Sequence, residues 1–308
     1  MITIFLGLTP FIFITLLGFL FGRFKVFDLS HAKILNLFLY YVAVPALIIK
    51  FVAQSEIGQI DTKQIISYFL MQSICGIFTF IIASKFFNRP VTESIIWALT
   101  VALSNHVTLL LPITEIYFQE NIITQVASII LMDGVILLSV IAFFLELSTK
   151  KNVNLIVFIK NLLTNPMILS IIIGLLFLIS NFSIDKTPIA YTLSKLAACV
   201  SPVGLFAIGI ILSFYTKNVV NKLSISISIL KLVISPIILL IIGFVIFNLG
   251  LPKEIPGAFF VSVAPCGVTS IVLCAAYNVS SENIIKAIFV STIASIGTIF
   301  LAIQYLTY

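Results

Sequence analysis

One short stretch of the chain places an amide, an imidazole and a hydroxyl next to a proline, inside a segment apolar enough to cross a bilayer. The stretch LSNHVTLLLPI, residues 103–113, contributes Asn105, His106, Thr108 and Pro112. A proline within a helix removes one backbone donor and frees the carbonyl one turn earlier. In hydrocarbon these groups must be satisfied by protein or by water. The pattern predicts non-helical backbone that lines a polar cavity at mid-membrane, with Asn105, His106 and Thr108 as hydrogen-bonding side chains.

A second stretch, VAPCGVTSIV at residues 263–272, has the same character. It contains the helix breakers Pro265 and Gly267 and the polar residues Cys266, Thr269 and Ser270. If the two breaks face each other, each directs the N-terminus of a half-helix, with roughly half a positive charge, at one central point. We therefore expect the site to prefer an anion. The alternative is that the prolines only kink two helices and that the amide bonds to a neighbouring helix.

Three ionisable residues lie inside apolar segments, where a charge marks a functional candidate by default. Asp133 lies in LMDGVILL and Lys231 in SILKLVISP, while His106 belongs to the first stretch. His106 and Asp133 are the candidates for proton coupling. Each has a structural alternative: a histidine satisfied by a carbonyl, a protonated or paired carboxyl between helices, and a lysine that extends to the cytoplasmic interface.

The composition defines the class of protein. The 308 residues are 61% hydrophobic and 9% charged, with a mean hydropathy of +1.25, so a water-soluble domain is excluded. Apolar runs of about 20 residues predict an all-α polytopic membrane protein. The net charge of +6 reflects orientation in the membrane, and no basic run predicts nucleic-acid binding. We expect no cofactor and no metal, and we expect the four cysteines to be buried packing residues without disulfides.

Ten transmembrane spans are predicted, joined by short loops. They cover about residues 2–22, 33–53, 64–86, 93–118, 122–147, 155–180, 188–213, 223–249, 256–277 and 284–306. Lysine and arginine are concentrated in loops one, three, five and seven, which predicts that these loops are cytoplasmic. Both termini are then expected on the outer side. The helix at the N-terminus is expected to stay in place, because its basic residues follow the apolar segment.

The prolines predict an internal repeat. Those at 10, 45 and 112 match those at 166, 202 and 265, at offsets of 156, 157 and 153 residues (166 − 10, 202 − 45 and 265 − 112). This spacing indicates two five-helix units, residues 1–148 and 154–308. Because five is odd, the second unit must be inverted relative to the first, as in many secondary transporters.

The chain resembles the auxin efflux carrier family of membrane transporters, which includes bacterial permeases. The resemblance rests on a series of segments in order. They are LNLFLYYVAVPALI (35–48), the spacing from Asn105 to Pro112, LLTNPMILSIIIGLL (162–176), CVSPVGLFAIGIIL (199–212), LKLVISP (230–236), VAPCGVTSIVLCAAYNV (263–279) and STIASI (291–296). It implies a multi-pass protein of the bacterial inner membrane with ten helices in two inverted repeats, similar to bile acid sodium symporters.

The resemblance also implies where function resides. Spans 1, 2, 6 and 7 would form a scaffold, with a homodimer through it as a further expectation, and spans 3, 4, 5, 8, 9 and 10 a transport domain. Spans 4 and 9 would cross at Pro112 and Pro265, and the substrate carboxylate would bind beside the crossing at Asn105. Pro45, Ser201 and Pro202 are candidate contacts from the scaffold side. Where the family has glycines, this chain has Val107 and Leu110, which favours a small anion over a large aromatic one.

The expected function is a secondary carrier for a small organic anion such as malate or malonate, with auxin a minor alternative. Uniport-type export is expected from the membrane potential, which favours anion exit by about 2.3 kcal/mol per charge per 100 mV. Proton-coupled and sodium-coupled symport remain alternatives, although sodium needs more oxygen ligands than Asn105, Thr269 and Ser270 supply. An intramembrane enzyme is the remote alternative. It would need a paired acid, a metal cluster or an activated nucleophile, and we expect none.

Overall fold

The computed structural model describes residues 2–54, 61–149, 158–160, 163–180, 187–215, 220–249 and 251–307. These residues are helical and irregular, and the single β-type contact among them is an isolated bridge. The predicted span numbers are kept below for the helices that the structure places there.

The helices agree closely with the predicted spans. Span 1 is Ile2–Arg23, span 2 Leu29–Ala53, span 3 Thr62–Phe86, span 5 Glu120–Thr149, span 7 Pro188–Phe214, span 8 Lys222–Phe247 and span 10 Glu282–Thr307. These seven helices are long and apolar enough to cross a membrane. The molecule is therefore an all-helical, multi-pass membrane protein.

The other three predicted spans differ from a single long helix. Span 4 comprises Val91–Ala102, a turn at His106–Leu110 and Leu111–Tyr117, and span 9 comprises Pro256–Ser262 and Thr269–Ala276. Span 6 is described as the helix Pro166–Ile179. Its predicted start at residues 155–157 lies outside the described residues.

Side-chain caps explain several helix starts. Span 2 begins four residues earlier than predicted because Oδ1 of Asp28 accepts hydrogen bonds from the backbone N–H groups of Ser30 and His31. The hydroxyl of Ser30 and then the contacts with His31 lower the pKa of Asp28, since they stabilise its charged form. Asn165 caps the helix that starts at Pro166, so Pro166 stands in a first turn and not in a helix interior.

Two pairs of helices pack closely along their lengths. Span 1 lies against span 7, where a Cβ added to Gly209 would come within 2.1 Å of the carbonyl oxygen of Thr15. Span 6 lies against span 2, with Gly174 facing Val52. Small residues permit such backbone approach, which is the usual basis of helix association in a membrane.

Five-residue π turns interrupt spans 2, 3, 4, 5 and 8, at Leu39–Ala43, Ile82–Phe86, His106–Leu110, Asp133–Leu137 and Leu230–Ile234. In three of them a proline follows two residues after the turn, namely Pro45, Pro112 and Pro236. A proline ring clashes with the carbonyl four residues earlier, and each of those carbonyls lies within a π turn. The wider turn accommodates the proline without ending the helix.

Two sequence expectations are corrected here. Pro112 does not break span 4, because it lies in the first turn of the helix that follows the π turn. Cys199 is half-buried and donates to the carbonyl of Lys195, whereas Cys75, Cys266 and Cys274 are buried as predicted. All four thiols are free.

Candidate functional site

The break in span 4 lies at residues 103–105. The helix Val91–Ala102 closes with a hydrogen bond from the N–H of Leu103 to the carbonyl of Leu99, and Leu103 then turns to extended backbone. Ser104 and Asn105 favour such positions because their short polar side chains compete with helical hydrogen bonds. Helical structure resumes at His106. The span 4 break therefore precedes the proline by seven residues.

The break in span 9 lies at residues 263–268. Pro265 has no N–H to donate. Gly267 is packed closely against span 4, since an added Cβ would lie 2.7 Å from the carbonyl oxygen of Leu103. Glycine is thus required at position 267 by the approach of the other chain segment.

The two breaks are joined by backbone hydrogen bonds. The N–H of Asn105 donates to the carbonyl of Pro265 at 2.9 Å, and the N–H of Gly267 donates to the carbonyl of Leu103 at 2.7 Å. Ser104 and Cys266 face each other in an antiparallel bridge. Backbone groups freed by the two breaks are therefore satisfied within the protein, as a membrane interior requires. We call residues 103–105 with 265–267 the crossing.

The predicted polar side chains lie at or near the crossing, and most are already engaged. Oδ1 of Asn105 accepts a hydrogen bond from Thr108, and Oγ of Ser270 donates to the carbonyl of Gly267. Oγ of Ser291 accepts from the N–H of Cys266. In the part of the chain that the structure describes, no residue accepts from Nδ2 of Asn105 or bonds to the hydroxyl of Thr269. These two groups have hydrogen-bonding capacity left for a ligand.

Both half-helices that begin at the crossing start without a side-chain cap. Asn105 precedes the turn at His106 and Val268 precedes the helix at Thr269, and neither side chain bonds to the first backbone amides. The first N–H groups of a helix have no partner within the helix and carry partial positive charge. Two such ends at one buried place suit an anion.

His106 and Asp133 form a buried pair. Nε2 of His106 lies 3.0 Å from Oδ2 of Asp133, with side chains 5% and 1% exposed. The approach lacks hydrogen-bond geometry, and no described residue donates a hydrogen bond to either Asp133 oxygen. The sequence placed these two candidates on different spans without relating them to each other.

Lys231 lies in the interior beside the crossing. Its Nζ is 2.7 Å from Oγ of Ser104, and the side chain is fully buried. The predicted alternative of a lysine that extends to the interface is therefore wrong. Ser104 also contacts the hydroxyl of Tyr68 at 3.0 Å and donates to the carbonyl of Val261 at 3.0 Å. Asp133 is close enough to interact electrostatically with both Tyr68 and Lys231.

The three ionisable residues selected from the apolar segments all belong to π turns. His106 and Asp133 each begin one, and Lys231 is the second residue of another. Single π turns inside helices occur frequently at functional sites. The sequence analysis did not select Tyr68 or Ser104, which join Lys231 in one hydrogen-bonded group beside the crossing. A hydroxyl in an apolar span was a usable signal for both.

The candidate contacts from spans 2 and 7 differ in position. Pro45 is buried, Ser201 is half-buried and Pro202 is exposed. Span 7 meets span 4 at Gly204, where an added Cβ would lie 2.5 Å from the methyl carbon of Thr108. Gly204, which the sequence analysis did not select, is thus the residue of span 7 that contacts the π turn directly after the crossing. Asn105 is only 4% exposed.

A cavity of about 310 Å³ lies between spans 1, 4, 7 and 10. Its lining is apolar apart from three hydroxyl residues, Thr15, Thr292 and Ser295. Leu109 and Ile113 of span 4 form one wall. The volume is at the lower end of the range for small-molecule pockets, about 300–1,000 Å³.

The fold and the site define a polytopic helical membrane protein in which two broken spans meet through their backbones. The chain belongs to the membrane transport protein family, whose sequence model matches residues 3–303. This is the auxin efflux carrier-like family that the sequence motifs indicated, so that prediction is confirmed. No match was found among curated proteins. In the described residues, no group of three or more His, Cys, Asp or Glu side chains is placed to hold a metal ion.

Proposed function

We propose that this membrane transport protein is a secondary carrier for a small organic anion, and that the substrate carboxylate binds at the crossing. The observation that carries the proposal is the meeting of two uncapped half-helix starts at a buried amide. Nδ2 of Asn105 lies there without a partner among the described residues and can donate to a carboxylate oxygen. Thr269 adds a hydroxyl at the start of the second half-helix.

The charges around the crossing support an anionic ligand. Each half-helix N-terminus contributes roughly half a positive charge. Lys231, when protonated, adds another behind Ser104. Asp133 is the acidic residue near the crossing. It lies 3.0 Å from His106, and a protonated His106 balances its negative charge. The net charge around the crossing is positive whenever Lys231 and His106 are both protonated.

Tight packing around the crossing supports a small substrate. Thr108 abuts Gly204, and Val107 and Leu110 are bulky residues in the same π turn. A large aromatic ligand would have to displace these contacts. Malonate and malate fit this restriction better than auxin does.

An alternating-access mechanism is proposed in which spans 3, 4, 5, 8, 9 and 10 move against a scaffold of spans 1, 2, 6 and 7. The close contacts of span 1 with span 7, and of span 2 with span 6, support one rigid scaffold. They also support the inverted repeat of residues 1–148 and 154–308, because an inverted repeat exchanges these two pairs. The apolar cavity separates scaffold spans 1 and 7 from spans 4 and 10 of the moving group.

The proposed location is the bacterial inner membrane, with both termini outside and the basic odd-numbered loops inside. A cysteine introduced at position 150 should resist an impermeant thiol reagent in intact cells, and one at position 308 should react. The opposite pattern would reverse the orientation.

Ligand-induced thermal stabilisation of the purified protein tests the anion site, because a ligand that binds only the folded state raises the apparent melting temperature. We expect a panel of small carboxylates that includes malonate and malate to stabilise the wild type. Asn105→Ala should weaken binding by about 1–3 kcal/mol, or about fivefold to more than a hundredfold, because a buried hydrogen bond to a charged group is lost.

The matched control is Asn121→Ala, which removes an exposed amide at the start of span 5 that takes no part in the crossing. It should leave the stabilisation unchanged. Equal stabilisation of the wild type and Asn105→Ala would remove the crossing from the binding site.

A further inference from the structure

We propose that His106 and Asp133 form the proton-carrying pair of this transporter, so that the anion and a proton cross the membrane together. The inference rests on the proposed carrier function and adds its coupling. The sequence alone favoured uniport, because it offered only His106 and Asp133 as proton carriers and neither lies in an evident acid cluster. The distance of 3.0 Å between Nε2 of His106 and Oδ2 of Asp133 favours proton coupling over uniport.

The His106–Asp133 pair lacks the hydrogen bonds that a permanently charged or a permanently neutral pair would need. A buried carboxylate is tolerated when it is paired and hydrogen-bonded, and both Asp133 oxygens lack a hydrogen-bond donor among the described residues. A purely structural ion pair would be expected to show directional hydrogen bonds on both partners. A pair that gains and loses a proton need not optimise either state.

The surroundings contain few other groups that could accept this proton. Tyr68 faces the pair from span 3 and Lys231 from span 8, and Cys75 and Cys266 interact with Lys231. Span 7 packs against the turn that begins at His106, and span 6 against the turn that begins at Asp133. Their helices Val200–Phe214 and Pro166–Ile179 contain no titratable residue. His106 and Asp133, which lie 3.0 Å apart, are therefore the groups that we assign as the proton carrier.

The proton balance follows from the positions of the two groups. With one proton, the pair is neutral overall, as imidazole with carboxylic acid or as imidazolium with carboxylate. A second proton leaves it with a charge of +1. A carboxylate bound at Asn105, the residue next to His106, offsets that charge, so each ligand favours binding of the other. The proton is taken from water on one side and returned to water on the other, and no other bond changes.

Both residues lie on spans assigned to the moving group. Span 4 carries His106 and span 5 carries Asp133, so the pair would move with the bound anion. The pair could therefore load on one face of the membrane and unload on the other without being separated.

Transport in proteoliposomes tests the coupling, with radiolabelled malonate as the probe. For one proton per anion and with the membrane potential clamped at zero, a gradient of about 1 pH unit should support roughly tenfold accumulation by the wild type. His106→Gln and Asp133→Asn should abolish this accumulation but retain malonate exchange when the pH is equal on both sides. His31→Gln, which changes the exposed second histidine at the start of span 2, is the matched control and should behave as the wild type.

Loss of exchange as well as accumulation in both variants would assign the pair to anion binding and overturn the coupling proposal. Wild-type flux that followed a membrane potential and ignored the pH gradient would overturn it in favour of uniport. Absence of any malonate binding by the wild type would count against the proposed substrate class, and a second measurement would then decide the coupling alone.

That measurement is NMR of the protein labelled with ¹⁵N-histidine, which needs no substrate. The chain has two histidines, so His31→Gln assigns the His106 signals directly. Spectra are recorded from about pH 5 to pH 8, and we expect the His106 signals of Asp133→Asn to differ from those of the wild type, because the partner that shares the proton is lost. His106 signals that stayed constant over this range in the wild type would overturn the proposal.

Discussion

The breaks in spans 4 and 9 meet through reciprocal backbone hydrogen bonds, yet they are built from different residues. The span 4 break has Ser104, Asn105 and His106, whose side chains reach spans 3, 5 and 8 or keep a donor free. The span 9 break has Pro265 and Gly267, which contribute a carbonyl, an N–H and space. One break supplies side-chain chemistry, and the other supplies the backbone that holds it in place.

This asymmetry has a physical explanation. An inverted repeat would place two equivalent chain segments at one point, where two sets of bulky polar side chains would compete for the same volume. Gly267 leaves no room for a Cβ, because Leu103 occupies that position. The absence of a side chain at Gly267 in the span 9 break thus lets the span 4 break approach.

The largest effect is expected from a substitution at the backbone contact between the two breaks. Gly267→Ala places a Cβ 2.7 Å from the carbonyl oxygen of Leu103, which belongs to backbone that cannot move away easily. We expect a loss of about 1–3 kcal/mol in folding stability, as for other overpacked sites, together with loss of anion binding. Thermal unfolding in detergent and malonate-induced stabilisation measure the two effects.

The matched control is Gly297→Ala in span 10, where an added Cβ meets nothing within 4 Å. That change should be neutral or stabilising, since alanine is the better helix former. If both variants unfolded at the wild-type temperature, the close approach at the crossing would not be a structural requirement.

A smaller effect is expected from the charge behind the span 4 break. Lys231→Met removes the ammonium that contacts Ser104 while keeping a long apolar side chain. An ammonium that is buried without an ion-pair partner among the described residues costs folding free energy, so the melting temperature should be unchanged or higher. Malonate binding should weaken by about tenfold, because one positive charge near the crossing is lost.

Lys222→Met serves as the control, because Lys222 lies in the first turn of the same span, nine residues before Lys231. Undiminished malonate binding by Lys231→Met would show that this lysine does not act on the anion.

The smallest effect distinguishes two hydroxyls in the second half-helix. Thr269→Val removes a hydroxyl without a partner among the described residues, and we expect malonate binding to weaken by about twofold to tenfold, in line with 0.5–1.5 kcal/mol for a hydrogen bond. Ser270→Ala removes a hydroxyl that already bonds to the carbonyl of Gly267, so it should change binding by less than about twofold. Isothermal titration of both variants measures the difference. Equal effects would mean that span 9 contributes backbone alone.

Much of the fold was accessible from the sequence because the determining features are local. Apolar length sets the spans, and seven of the predicted helices occur as long apolar helices in the structure. Polar and small residues marked the breaks in spans 4 and 9, and Asn105 was placed correctly at the first of them. The order of motifs identified the family, which a match over residues 3–303 confirms.

The tertiary structure decided which groups share the site, because those contacts join residues far apart in the chain. Ser104 meets Lys231 across 127 positions, and no local pattern distinguishes a lysine that points inward from one that reaches the interface. The pairing of His106 with Asp133 likewise depends on how spans 4 and 5 pack. Pro112 was expected to break its helix, but a π turn absorbs its missing donor and ring clash, and that choice depends on the surrounding helices. The sequence determined the spans and the chemistry available, and packing determined which of those groups act together.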